Sequence, residues 1–313
     1  MDQRNQTIVT FFIFQGISDL PELQIPIFFL VLFIYLFSLG VNLTIFLLVC
    51  LDHQLHTPMY FFLVNLSILD MFSTTVTLHN ILIDFIVGDN TISYGACLSE
   101  MYIYGFLICD ELLILTAMSY DRYVAICNPL QYHLVMNRKL CIFLATVCWL
   151  LGILEVIPYI VLLSGFTCYT SNVINHFFCD LVPLVKLSCS DTTAIEIVCL
   201  ADGFLLISFT PFMLTFISYI FIISSIFRIS SNIGRWKAFY TCSSHLTIVI
   251  LLYSSLFFQY LRPTSLNTTR SNKFFSLYNT AVLPLLNPLI YSFKNKDVKS
   301  AMRRSAQWLK VCM

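Results

Sequence analysis

Residues Pro26 to Leu51 run without a single charged side chain, and no other feature constrains the fold as tightly. A helix over that stretch is longer than the ~30 Å needed to cross the hydrocarbon layer, with room for tilt. Six further segments qualify, giving seven spans at about 26–51, 58–83, 97–127, 140–163, 197–227, 238–261 and 274–293. The second and seventh carry polar residues and are weaker by hydropathy, yet both are long enough to span. The chain is 58% hydrophobic and only 11% charged, where a soluble domain carries about 25% charged residues. The expected architecture is an all-α membrane bundle whose lipid is a permanent partner. A net charge of zero gives no reason to expect a nucleic-acid partner, and nothing calls for a cofactor. Residues 294–313 are expected to form a cytoplasmic segment with a short amphipathic helix.

Orientation follows from Lys and Arg placement. With the N-terminus outside, 12 of the 17 basic residues fall on the cytoplasmic side, from Arg122, Arg138 and Lys139 through Arg228, Arg235 and Lys237 to the C-terminal group. Residues 1–25 then form an extracellular segment, and they lack the basic start and short apolar core of a cleavable signal. Asn5-Gln6-Thr7 and Asn267-Thr268-Thr269 are glycosylation sequons in exterior segments, whereas those at Asn42 and Asn65 lie within spans and read as chance matches.

Of the twelve cysteines, Cys97, Cys168, Cys179 and Cys189 lie outside. Four thiols in an oxidising compartment favour two disulfides, with three pairings open. The other eight read as small apolar packing residues. His176 with Cys179 raises zinc binding, but no C-x-x-C pair supports it.

Ionisable groups at membrane depth are costly and usually functional. Asp70 lies midway along the second span and Glu111 midway along the third. Such a pair can share a cation, relay protons, form a catalytic dyad, or simply be satisfied by Asn and Ser neighbours such as Asn42, Ser73, Asn279 and Asn287. An oxygen-rich, partly hydrated pocket of this kind suits a hard monovalent cation. Asp121-Arg122, at the cytoplasmic end of the third span, reads either as a helix-end cation beside an acid or as a switch.

The string Met118-Ser119-Tyr120-Asp121-Arg122-Tyr123-Val124-Ala125-Ile126-Cys127 closely resembles the end of the third helix in olfactory receptors, a branch of the rhodopsin-like G-protein-coupled receptors. Further matches occur in order along residues 10–305. Leu55-His56-Thr57-Pro58-Met59-Tyr60-Phe61-Phe62-Leu63 resembles the opening of the second helix. His176-Phe177-Phe178-Cys179-Asp180 and Leu187-Ser188-Cys189-Ser190-Asp191 are similar to the second extracellular loop. Lys237-Ala238-Phe239 with Thr241-Cys242-Ser243-Ser244-His245-Leu246 resembles the sixth helix, and Pro284-Leu285-Leu286-Asn287-Pro288-Leu289-Ile290-Tyr291-Ser292 the seventh. Tyr240 departs from the Ser common there.

The resemblance implies a seven-helix receptor that binds a small-molecule odorant and activates a heterotrimeric G protein of the stimulatory, olfactory class, raising cAMP at the plasma membrane of sensory cilia. Arg122 would meet the G protein, restrained at rest by Asp121, with Tyr219 and Tyr291 swinging inward on activation. Asn42, Asp70, Glu111 and Asn287 would build the sodium-type site. Cys97–Cys179 would tie the third helix to the long loop, and Cys168–Cys189 would fold that loop on itself. The pocket would lie between the third, fifth, sixth and seventh helices. Helical spacing within that frame nominates Tyr104, Gly105, Ile108, Cys109 and Leu112; Gly203, Phe204 and Ile207; Leu256, Phe257 and Tyr260; and Leu277 and Thr280. This lining is mostly apolar and suits a weakly polar ligand. Asp110, Glu155 and Asp202 are intramembrane acids that the motifs leave unexplained; one or more facing the cavity would bias it toward amines or hydrogen-bond donors.

Competing readings fare worse. A light sensor would need a Schiff-base lysine in 274–293, where there is none. An aminergic receptor would want an acid where Tyr104 stands. An intramembrane aspartyl protease would need a Gly-x-Gly-Asp motif, and a transporter would show internal repeats. The chain is expected to signal and not to catalyse.

Overall fold

The structure is a computed structural model that describes residues 9–18, 20–166, 168–260, 269–294 and 296–312. Asn5 and Asn267 lie outside the described residues, as does the side chain of Phe204.

Seven long helices form the bundle: α1 (Pro21–Leu51), α2 (Pro58–Val87), α3 (Tyr94–Cys127), α4 (Arg138–Ser164), α5 (Thr193–Arg228), α6 (Asn232–Tyr260) and α7 (residues 269–294). The first six are long and apolar enough to cross a membrane. An eighth helix, α8 (Lys296–Cys312), follows. Several helices outrun their hydropathic spans: α1 starts at Pro21 rather than 26, α2 ends at Val87 rather than 83, and α6 starts at Asn232 rather than 238. Hydropathy sees only the lipid-facing stretch, whereas the helical ladder continues into the headgroup layer until a cap ends it. For α2 the ends are set by Pro58 in the first turn and by Gly88, whose φ of 72° closes the helix in the left-handed region. For α3 the Ser93 hydroxyl accepts the Ala96 N–H at 3.3 Å.

Prolines shape three helices. A proline has no N–H for the carbonyl four residues back and its ring crowds that carbonyl. Pro158 coincides with a break at Val156 in α4. Pro211 and Pro284 instead follow widened π-helical stretches, Cys199–Phe209 in α5 and Tyr278–Val282 in α7, which move the ladder away from the ring.

The outer end is not purely helical. A three-stranded sheet in the order β2-β1-β3 is built from β1 (Phe11–Phe14), β2 (Thr91–Ser93) and β3 (Val173–Ile174). β1 pairs antiparallel with β2 through Phe12↔Ile92 and parallel with β3 through Phe14↔Ile174. Phe12 is fully buried against Tyr94 and Tyr169. The N-terminal segment is thus pinned across the top of the bundle as part of a lid. One apolar core fills the bundle's middle, with smaller clusters beneath the lid and around Tyr219 and Cys242 at the cytoplasmic end.

Candidate functional site

At the cytoplasmic end of α3, Arg122 donates through Nε and Nη2 to the Asp121 carboxylate, the Nε bond being 3.0 Å. Asp121 is fully buried, and its other oxygen accepts the Tyr132 hydroxyl at 2.8 Å. Tyr132 stands at the start of a short helix, Tyr132–Val135, in the second cytoplasmic loop. The acid is therefore clamped from two sides, and the arginine is held by the residue beside it. Next to this pair, His245 of α6 bridges three helices. Its Nε2 lies 3.0 Å from the Leu115 carbonyl oxygen, which can only accept, so Nε2 carries the proton and Nδ1 is free to accept from Tyr219, 2.8 Å away. His245 lies within the sixth-helix motif, and nothing in its local sequence marks it as a bridge. The Tyr291 hydroxyl is buried and has no hydrogen-bond partner among the described residues.

Midway through the bundle, the Asn287 amide nitrogen donates to Asp70 Oδ1 (3.0 Å) and to Glu111 Oε1 (3.0 Å). One amide thus joins α2, α3 and α7. Asn42 does not join them: its nitrogen donates to the Pro284 carbonyl (2.9 Å), clasping α1 to α7, and it makes no hydrogen bond to either carboxylate. Among the described residues, the oxygens of Asn42 and Asn287 and the Ser67 hydroxyl are buried and have no hydrogen-bond partner. Two buried carboxylates held on one amide form an acceptor-rich site, which fits a monovalent cation or a shared proton. Among the described residues no group of three or more His, Cys, Asp or Glu could hold a metal. The sequons at Asn42 and Asn65 are spent inside the bundle, Asn65 accepting from the Trp149 indole at 3.0 Å.

At the outer end, Cys97 is bonded to Cys179 and Cys168 to Cys189, with Cα atoms 5.4 and 5.3 Å apart. The first bridge carries the long loop down into the bundle. His176, Phe177, Phe178 and Cys179 are all essentially unexposed. Phe177 and Phe178 plug the space beside Tyr104, Leu78, Val31 and Ala281, with the Tyr104 and Phe178 rings edge to face at 4.9 Å. A polar chain runs beneath the plug. Asp180 accepts from Gln259 Nε2 (3.1 Å) and the Tyr260 hydroxyl (3.2 Å); Gln259 also donates to Ser276 (3.0 Å), which meets His176 Nε2 at 3.2 Å. Asn279 donates to Gln259 Oε1 (2.6 Å) and accepts from Ser255. The loop, α6 and α7 are latched by this network, which no local sequence pattern announces.

The nominated pocket residues separate into two sets. Tyr104, Ile108, Cys109, Leu112, Ile207, Leu256, Tyr260, Leu277 and Thr280 are buried or half-buried. Three nominations need correction. Phe257 is 52% exposed and so lies on the outer face of α6. Gly105 abuts Val156 of α4, and Gly203 the Tyr159 hydroxyl, so each serves close approach of helices. The unexplained acids also lie elsewhere than the cavity. Asp110 is fully buried against Gly152 of α4, both oxygens without a hydrogen-bond partner among the described residues, and Glu155 and Asp202 are neighbours across the α4–α5 seam.

Against known proteins, residues 31–307 match the family model described as olfactory receptor. The chain belongs to the olfactory receptor family. It is 43% identical to mouse (Mus musculus) olfactory receptor 5AR1 over 97% of this chain and 98% of that one, and 44% identical to human (Homo sapiens) olfactory receptor 6C3 over 96% of each. In three dimensions it is similar to squid rhodopsin, with a TM-score of 0.65 at 18% identity, covering 91% of this chain and 85% of that one, which establishes the fold. This olfactory receptor is therefore a multi-pass membrane protein of the odorant-sensing, G-protein-coupled kind, and not an enzyme.

The receptor's loop latch has a calculable pH response. Burial, with Lys273 nearby, pushes His176 down from 6.5 to about 3. Burial pushes Asp180 up from 3.8 to about 6, against the hydrogen bonds from Leu181, Gln259 and Tyr260. A lowered histidine contributes stability that is full above 6.5 and lost as pH falls; a raised carboxyl contributes stability that is full below 3.8 and lost as pH rises through about 6. Between pH 4 and 6 the two slopes oppose. In thermal melts, Asp180→Asn should lose Tm relative to wild type as pH is lowered from 6.5 to 4, whereas His176→Gln should gain. Melting curves that track wild type in both variants would contradict the latch.

Proposed function

We propose that this receptor binds a small, mostly apolar odorant beneath the long loop and activates a stimulatory, olfactory-type G protein, raising cAMP, at the plasma membrane of sensory cilia. The observation that carries the reading is the clamped Arg122. A buried guanidinium–carboxylate pair, itself tied by Tyr132, is a discrete arrangement that can be exchanged for another, as a two-state switch requires. The odorant site is the space among Tyr104, Ile108, Leu112, Leu256, Tyr260 and Thr280, with Phe177 and Phe178 packed at its edge beside Tyr104 and Ile108. An odorant that displaces this plug disturbs the Asp180–Gln259–Asn279 chain, which grips α6 and α7. A ligand that binds the open arrangement better shifts the population toward it. Tyr219 and Tyr291 then turn toward the space Arg122 vacates, and a G protein enters there.

Asp70, Glu111 and Asn287 would hold a sodium-type ion in the resting arrangement, the ion neutralising the paired carboxylates. Asp70→Asn should abolish the dependence of agonist potency on sodium; potency that shifts with sodium equally in wild type and variant would reject the site. The function itself is tested by a volatile-compound panel in cells with and without the olfactory-type stimulatory G protein, alongside uptake of the same compounds. The expected result is cAMP that requires the G protein, with no saturable uptake. Saturable uptake without cAMP would make the chain a carrier.

A further inference from the structure

Two cavities open at the outer end of the bundle, and none of the nominated odorant contacts lines either one. The larger, about 560 Å³, lies between α2, α3 and the lid sheet; the smaller, about 320 Å³, adjoins it and shares Phe14 and Asn80. Volumes of this size accommodate small organic molecules. The larger cavity has an apolar wall that includes Phe14, Val76, Ile83 and Ile103, and its buried acid is Glu100 of α3, 7% exposed. Glu100 Oε1 accepts from Asn80 Nδ2 at 2.7 Å, and Oε2 accepts the Cys179 backbone N–H at 3.3 Å. A carboxylate offers about four lone-pair sites, so two acceptor positions remain. Asp89 adds a second acid to the lining and Asp84 a third in the smaller cavity, while among the described residues neither cavity is lined by Lys or Arg. Among the described residues, His79 is the one in the lining that can become cationic. The polar wall is therefore rich in acceptors and poor in cations, so the complementary guest brings donors and positive charge on an apolar body.

We infer that the cavity between α2, α3 and the lid sheet is a second binding site, separate from the odorant space, for a small protonated amine with an apolar tail, whose ammonium pairs with Glu100. Because the same side chain holds the Cys179 amide, an occupied site bears directly on the loop segment packed beside the odorant space. The amine acts as a modulator of the lid.

The test uses the full receptor in nanodiscs with n-hexylamine as probe and n-hexanol as its neutral isostere, binding read by ligand-observed NMR. Hexylamine should bind wild type and lose roughly tenfold in affinity in Glu100→Gln, the fold-change that follows from losing one charge-assisted hydrogen bond. Hexanol, which partitions into the bilayer equally in both preparations, should not distinguish them. Ile103→Trp, which fills the apolar wall while keeping Glu100, should also remove hexylamine binding. It keeps the proposal testable should Glu100→Gln fail to fold. Hydrogen exchange at the Cys179 and Asp180 amides should change with hexylamine in wild type only. Equal hexylamine binding in wild type and both variants would overturn the assignment. So would complete displacement by an agonist of the odorant space with binding unaffected by Ile103→Trp.

Discussion

Replacing Arg122 by alanine should reduce agonist-evoked cAMP to the level of cells without receptor, while surface labelling stays close to wild type. Two links in the structure lead to this. The guanidinium lies where the cytoplasmic ends of α3, α5 and α6 meet, and its side chain is only 14% exposed. Once released it is the strongest multi-donor group available there to a docking partner, with five N–H donors in a fixed fork. Its removal leaves Asp121 with the Tyr132 hydrogen bond, so the short helix keeps its tether and the bundle its packing. The complementary change separates restraint from coupling: Asp121→Asn weakens the grip on Arg122 without removing the arginine, and basal cAMP should rise. A wild-type response in Arg122→Ala would remove this residue from the coupling step.

The second large effect concerns the roof. Cys97→Ser should abolish delivery of folded receptor, read as loss of surface labelling and of any thermal transition. The bridge to Cys179 closes a loop with a sequence separation of 82. By the chain-entropy relation that closure is worth about 4.5 kcal/mol, an upper value because inserted helices already confine the chain. Both sulfurs are fully buried, so the variant also leaves an unpaired thiol and hydroxyl among Phe12, Leu163 and Leu184. The bridge at Cys168–Cys189 spans 21 residues and ties the loop only to itself, for about 3.3 kcal/mol by the same relation. Cys168→Ser should therefore lower expression less. Equal loss in the two variants would show that the bridge to α3 has no special weight.

Much of this was legible in the sequence because membrane depth is written in hydropathy. Uncharged runs gave the helices, and the acids that interrupt them marked Asp70 and Glu111, since a carboxylate at that depth needs a partner; which of Asn42, Ser73, Asn279 and Asn287 served was open, and among the described residues Asn287 alone donates to both. What was not legible depends on three-dimensional meeting. Phe11–Phe14 carries no alternation to mark a strand, and its partners lie some eighty and a hundred and sixty residues away. The polar latch joins His176 and Asp180 to Gln259, Ser276 and Asn279, each unremarkable in its own segment. Phe257 was misplaced by helical phase. The buried arc of α6 runs through His245, Ile248, Leu252, Ser255 and Gln259, at steps of three and four, and residue 257 falls off its edge. The glycines misled differently, because a gap in a pocket wall and a site of close helix contact require the same missing Cβ.

The central claim, that ligand binding opens the cytoplasmic face around Arg122, is tested most directly by a distance. Ile233 at the start of α6 and Leu134 in the second cytoplasmic loop are 84% and 78% exposed, so spin labels introduced there by non-natural amino acids should not disturb packing. Pulsed dipolar spectroscopy in nanodiscs would compare receptor alone with receptor plus agonist and G protein. The expected result is a second, longer distance population that grows with agonist and is present at baseline in Asp121→Asn. A single unchanged distance under conditions that give full cAMP signalling would contradict the two-state bundle.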